Sequence, residues 1–179
     1  MRRFSCIFYL MAILLLCTGC GEEGARTDQP RTYSQAGLSF EYPENWAVTK
    51  DETQEGLRYL FVESPGDAIL IIQLYNAGNA MGIRDYAAAF AQSAKAETPV
   101  GTLVDLAPGR VVQSGGFEML TAPFSISLLG EMVPHTRTFR RKRVADRTCF
   151  IVSQVADEDR PKVDAGFELI ASTFQYQAP

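Results

Sequence analysis

Few side chains in this sequence are equipped to move a proton, attack a carbon or hold an ion. His135 is the only histidine among 179 residues, so a Ser–His or Cys–His pair would have to be built on it. It follows Pro134 near a predicted hairpin and precedes Cys149 by fourteen residues. Opposed strands could bring the two together, but no third residue to orient the ring and no G-x-S-x-G elbow accompanies them. An exposed histidine at a strand end is the simpler reading, and a hydrolase using His135 or Cys149 is the enzymatic alternative. Cys149 sits in the strand-like run Thr148-Cys149-Phe150-Ile151-Val152, where a small apolar thiol packs readily. A reactive thiolate would need a base or cation beside it, which the basic stretch upstream offers.

Asp157-Glu158-Asp159 lacks the alternating ligands and central glycine of an EF-hand loop. These carboxylates precede a predicted helix, whose positive end favours them without any ion. Asp51, Glu52 and Glu55 read as a solvated turn. No metal and no cofactor is expected.

The one unusual charge feature is His135-Thr136-Arg137-Thr138-Phe139-Arg140-Arg141-Lys142-Arg143-Val144. With Arg147 it holds six of the basic residues. As an extended strand it points Arg137, Phe139, Arg141 and Arg143 one way and Thr138, Arg140 and Lys142 the other. Charges on both sides fit an edge or projecting strand, where Lys and Arg block unwanted pairing. The functional reading makes Arg137, Arg140, Arg141, Lys142 and Arg143 a binding patch for anionic headgroups or an acidic envelope partner.

Hydrophobic residues make up 46% and charged residues 21%, a balance that excludes a disordered chain and gives one domain with a real core. A net charge of −4 argues against nucleic acid as a partner, since binding it requires excess positive charge.

Met1-Arg2-Arg3 opens the chain, and Phe4 to Cys17 follows without a charge. That run falls short of the ~20 apolar residues a spanning helix needs. It is apolar on every face and ends in small residues, as a secretory signal does. Leu16-Cys17-Thr18-Gly19-Cys20 resembles the lipobox of bacterial lipoproteins, with Cys17 where Leu is usual. The resemblance implies cleavage before Cys20 and acylation of its thiol, which anchors the chain to a bilayer. Gly21 follows Cys20 in place of the Asp associated with inner-membrane retention. Delivery to the periplasmic face of an outer membrane is then expected, if the organism has one. Loss of Arg2 and Arg3 leaves 15 basic against 21 acidic residues, a net charge of −6.

Residues 20–31 are polar and hold Gly and Pro, so they read as the lipidated end and a flexible tether spanning roughly 18 Å. Beyond them the pattern is mostly strand. Gln35-Ala36-Gly37 turns a hairpin before Leu38–Tyr42. Leu57–Glu63 alternates, and Ala68–Tyr75 is apolar on both faces, which requires cover on both. Ile83, Tyr86, Ala87, Phe90, Ala91 and Ala94 form one helical face within 82–96, closed by Thr98-Pro99. Arg110–Gln113, Phe117–Leu129 (with Pro123 at a bulge or edge), His135–Val144 and Thr148–Val155 form a meander. A last helix runs from Arg160 to Ser172, with Asp159 as N-cap, Pro161 in the first turn, and Val163, Phe167, Ile170 and Phe174 on one face.

Gly37-Leu38-Ser39-Phe40-Glu41-Tyr42-Pro43-Glu44-Asn45-Trp46 resembles the opening of the PsbP-like superfamily, G-x-x-F-x-Y-P-x-x-W. Ala171-Ser172-Thr173-Phe174 is similar to its closing S-F pair with one residue inserted. That superfamily includes the extrinsic photosystem II subunit, a nuclear-import factor that binds Ran, and bacterial lipoproteins of the DcrB type. The expected organisation is a signal peptide at 1–19, the lipidated tether at 20–31 and a PsbP-like domain at 32–179. The expected fold is α+β, a mostly antiparallel sheet flanked by helices on both faces. The function expected is a non-catalytic accessory or binding lipoprotein of the bacterial envelope. A binder of small apolar ligands is a further alternative, and requires a cavity between sheet and helix.

Overall fold

The computed structural model describes residues 23–76, 78, 80–97 and 102–178. The expected signal peptide, Cys20 and Thr98-Pro99 lie outside the described residues.

The first hairpin joins β1 (Arg31–Gln35) to β2 (Leu38–Tyr42) through Ala36 and Gly37, whose φ angles are +45° and +78°. Two positive φ values in a two-residue loop match the right-handed twist of the strands. A Cβ at Gly37 would also stand 2.0 Å from the Gln177 carbonyl oxygen, so only glycine fits. Strands β3 (Ala47–Gln54), β4 (Leu57–Glu63) and β5 (Ile69–Asn76) follow as a meander. The first helix, α1 (Ile83–Glu97), leads to β6 (Thr102–Asp105), β7 (Val112–Ser114), β8 (Phe117–Leu128), β9 (Glu131–Val144) and β10 (Arg147–Ala156). The chain closes with α2 (Arg160–Thr173) and the short β11 (Gln175–Tyr176).

Eight strands form one antiparallel sheet in which seven lie in the order β3-β4-β5-β10-β9-β8-β6, while β7 pairs with β8 beside β6. A three-stranded sheet, β1-β2-β11, packs with α2 on one face of it. Strand alternation divides the core. Leu70, Ile72, Leu74, Cys149, Ile151 and Val155 face α2 and the small sheet. Ile71, Tyr75, Phe150 and Val152 face α1. The double-sided apolar strands are thus covered on both faces, as the sequence requires, and both helical stripes supply the cover.

Three expectations change. The basic strand β9 is no edge: it pairs with β8 along one side and β10 along the other. Asp51 and Glu52 lie within β3, not in a turn. Gly24–Arg26, expected in the flexible tether, are fastened to the body. Ala25 N donates to Lys162 O at 2.8 Å, Asn45 Nδ2 donates to Gly24 O at 3.0 Å, and Arg26 N donates to Asn45 Oδ1 at 3.0 Å.

Pro123 does occupy a locally open position, between the stretches of β8 paired to β7 and to β6. Its carbonyl accepts from Leu106 N at 3.1 Å. The missing N–H therefore points to the same side, away from β9, and no ladder bond is lost.

Candidate functional site

The five basic residues singled out on β9 do not share a surface. Arg137 and Arg140 are buried, Arg143 is exposed, and Arg141 and Lys142 lie between these limits. Arg140 pairs with Glu168 of α2 on one face of the sheet, while Arg141 pairs with Glu118 of β8 at 2.6 Å. Lys142 stands 5.2 Å from the centroid of the Phe117 ring. A patch reading needs side chains aimed at solvent, and the central position of β9 aims most of them at neighbouring elements.

Arg137 is the exception in kind. Only 2% exposed, it shares the α1 face of the sheet with Ala122 and Gln154, its partners in the same cross-strand row. Its Nε and Nη2 both donate to Gln154 Oε1, at 2.9 and 2.7 Å. Its guanidinium carbon lies 4.3 Å from the centroid of Phe124 and 5.0 Å from that of Phe90. No described carboxylate is within ion-pair distance of it. Burial presses its basicity below the usual value, and Asp105 acts the other way. Asp105 is itself held by Lys95 at 2.7 Å.

Arg137 lines a groove of about 620 Å³ between α1 and strands β8 and β9. The helix contributes Ala88 and Ala91, the sheet contributes Leu120 and Ala122, and the β6–β7 connection contributes Leu106 and Pro108. Small alanines on the flank of α1 keep the helix from filling the space. The volume falls within the range of small-molecule sites, and the composition is mainly apolar with a few polar groups, as such sites are. Arg137 gives the groove a fixed positive charge, since a guanidinium cannot exchange protons near neutral pH, and the carboxylates of Asp85 and Asp105 also line it.

His135 and Cys149 do not meet. Cys149 stands opposite Lys142, seven residues along β9 from His135, or about 24 Å at ~3.4 Å per residue. They also face opposite sides: the His135 ring lies 5.0 Å from Phe124, and Cys149 is in the core beneath α2. His135 Nδ1 is 2.9 Å from the Val133 carbonyl oxygen. The Cys149 thiol is fully buried, and desolvation pushes its pKa far up despite the opposing Lys142 charge. The joint Cys–His arrangement is thereby removed, because the register separates the two groups.

Asp51, Glu52, Asp157 and Asp159 are engaged in structure. Asp51 receives Arg58 Nε and Nη2, both at 2.9 Å, and also the Tyr33 hydroxyl. Arg58 Nη1 continues to Gln35 O at 3.1 Å, tying the first hairpin to the β3–β4 pair. Glu52 accepts from Tyr59 at 2.5 Å, and Asp157 from Thr136 Oγ1 at 2.6 Å. Asp159 takes Lys162 Nζ at 2.7 Å and makes no side-chain cap bond to α2. Among the described residues no three His, Cys, Asp or Glu side chains converge.

No protein-family model matches this chain, and no curated protein does. Solved structures do. The cyanobacterial PsbP of Synechocystis superposes over 90% of this chain and 97% of its own, with a TM-score of 0.53 and 14% identity. LpqN, involved in cell envelope biogenesis of Mycobacterium tuberculosis, matches over 84% of this chain and 90% of its own, at TM-score 0.42 and 13% identity. The Ran-binding protein Mog1p of Saccharomyces cerevisiae matches over 83% and 95%, at TM-score 0.47 and 9% identity. At 14% identity the likeness to the cyanobacterial PsbP is one of fold, and it agrees with the two-helix, antiparallel architecture described above: the chain has the PsbP fold.

Proposed function

We propose that this chain is a non-catalytic binding module of the bacterial cell envelope, anchored by lipid on Cys20, which takes an apolar molecule into the groove beside α1. The observation that carries the reading is the groove itself, about 620 Å³ with a largely apolar lining between helix and sheet. The lipobox-like Leu16–Cys20 supports the anchor, and the bonds of Gly24–Arg26 to the body shorten the free tether, so the groove would work close to the membrane. Gly21 after Cys20 favours an outer membrane in a diderm organism.

Two measurements test this. Cells fed labelled palmitate should label the wild type and not Cys20→Ser. The mature chain carrying Cys20→Ser should bind an apolar fluorescent probe saturably, and Ala88→Trp should block it. Ala88 is exposed on α1 and lines the groove, so this change obstructs the site without disturbing the core. Absence of saturable binding, or equal binding by a folded Ala88→Trp variant, would refute the groove reading.

A further inference from the structure

Resting on the groove reading, we infer that the ligand is an amphiphile with a single carboxylate head, seated on Arg137, and an apolar body along α1. A buried cation is costly unless an anion accompanies it. The other buried arginine among the described residues, Arg140, obeys that rule through Glu168. Arg137 does not: its partners are one neutral amide and two aromatic rings. Aromatic faces attract a cation but do not neutralise it. Nη1 of Arg137 donates to none of the described residues, whereas Nε and Nη2 both share Gln154 Oε1. The guanidinium is thus fixed in orientation by Gln154, Phe90 and Phe124 and keeps donor capacity on a wall of the groove.

The head group follows from charge. One guanidinium answers one negative charge, and its planar fork suits a carboxylate. Asp85 and Asp105 also line the groove and offset the exposed Arg84 and part of the charge of Arg137, so a dianionic phosphate is repelled more strongly than a monoanion. The remaining lining, from Ala88, Ala91, Leu106, Pro108 and Leu120, offers apolar surface to the body. Asp105 acts on Arg137 from beyond ion-pair distance and is shared with Lys95 at 2.7 Å, so Arg137 keeps charge for an incoming anion.

Calorimetric titration of the mature chain carrying Cys20→Ser, with dodecanoate, methyl dodecanoate and dodecyl phosphate below their micellar concentrations, tests this. Dodecanoate should bind at least about tenfold tighter than its methyl ester, in line with a hydrogen bond to a charged group, and tighter than the phosphate. Arg137→Met should erase the acid–ester difference while melting no lower than the wild type, because a thioether chain between Phe90 and Phe124 removes an uncompensated charge. Equal affinity for acid and ester in the wild type overturns the head-group assignment and leaves groove binding standing. A phosphate preference overturns the choice of carboxylate. Retention of the acid preference by Arg137→Met overturns the role of Arg137. No binding of any of the three overturns both this inference and the groove reading.

Discussion

The indole of Trp46 fills the space where a side chain at Gly166 would stand. A Cβ placed there would lie 2.7 Å from Trp46 Cζ2, 2.8 Å from Cη2 and 2.9 Å from Pro43 Cγ. Both ends of the Pro43-Glu44-Asn45-Trp46 turn therefore press on one helical position, and the ring also meets Phe167 edge-on at 5.3 Å. This contact explains why a helix with ordinary packing needs keeps a glycine at its centre. Alanine is about 1 kcal/mol better than glycine inside a helix, yet here Gly166→Ala should destabilise. Overpacking of a filled site costs ~1–3 kcal/mol, and the indole and pyrrolidine that crowd it are rings that cannot swing away. Urea unfolding followed by Trp46 fluorescence should show a lower midpoint for the variant; a higher midpoint would show that α2 can shift to admit the methyl.

The Tyr33–Asp51–Arg58 cluster should make the acid and alkaline limits of stability sensitive to one carboxylate. Hydrogen bonds from Arg58, aided by Tyr33 and opposed by burial, hold the Asp51 carboxyl below its ordinary 3.8. A depressed folded-state pKa gives stability that is present above the unfolded value and lost as pH falls through the folded one. Burial and the bond to Asp51 push the Tyr33 phenol up from 10.0 to about 12. A raised value gives stability that is present below 10.0 and lost as pH climbs towards 12. Asp51→Asn should lower the melting temperature at neutral pH and flatten its fall below pH ~4. Parallel acid limbs for wild type and variant would remove Asp51 from the account.

What the sequence discloses and what it conceals divide along a physical line. Period-2 alternation in Leu57–Glu63 and the stripe Val163, Phe167, Ile170 and Phe174 depend on neighbours within one element, and the structure follows them. The role of Arg137 depends on Gln154, Phe124 and Phe90, which three other elements bring to it. Local reasoning sees only charges on both sides of a strand and places it at an edge. Strand β6 escapes such reasoning because Thr102–Asp105 is short and mostly exposed, so no burial pattern marks it. The groove leaves one trace: the alanines of Tyr86-Ala87-Ala88-Ala89-Phe90-Ala91 are too small to fill the space on the flank of α1.

Cys149 should behave as an inert core residue. Its thiol is fully buried and its pKa is pushed far up by desolvation, while reactivity belongs to the thiolate. A chain starting at residue 20 and carrying Cys20→Ser would hold no other sulfhydryl, because Cys6 and Cys17 precede that start. An aromatic disulfide reagent at pH 8 should modify Cys149 no faster than the central strand opens, and stoichiometrically in denaturant. Rapid modification of the native protein would restore Cys149 as a candidate nucleophile.

Arg140 and Glu168 form a pair whose two members differ sharply in exposure, with side chains 5% and 67% accessible. Removing either one should therefore have unequal effects. Glu168→Gln leaves a buried guanidinium without its counter-charge, and Arg140 Nη1 already has no partner. The amide still accepts a hydrogen bond, so the loss should be ~1–3 kcal/mol. Arg140→Met instead leaves a carboxylate that water already reaches, and it removes an expensive desolvated charge. That change should be close to neutral, because replacing a buried ion by an apolar chain of similar size often costs nothing. The double variant should then match Arg140→Met, since Glu168→Gln strands nothing once the guanidinium is gone. Equal losses from the two single substitutions would mean that packing of the Arg140 stem, and not its charge, governs how α2 sits on β9.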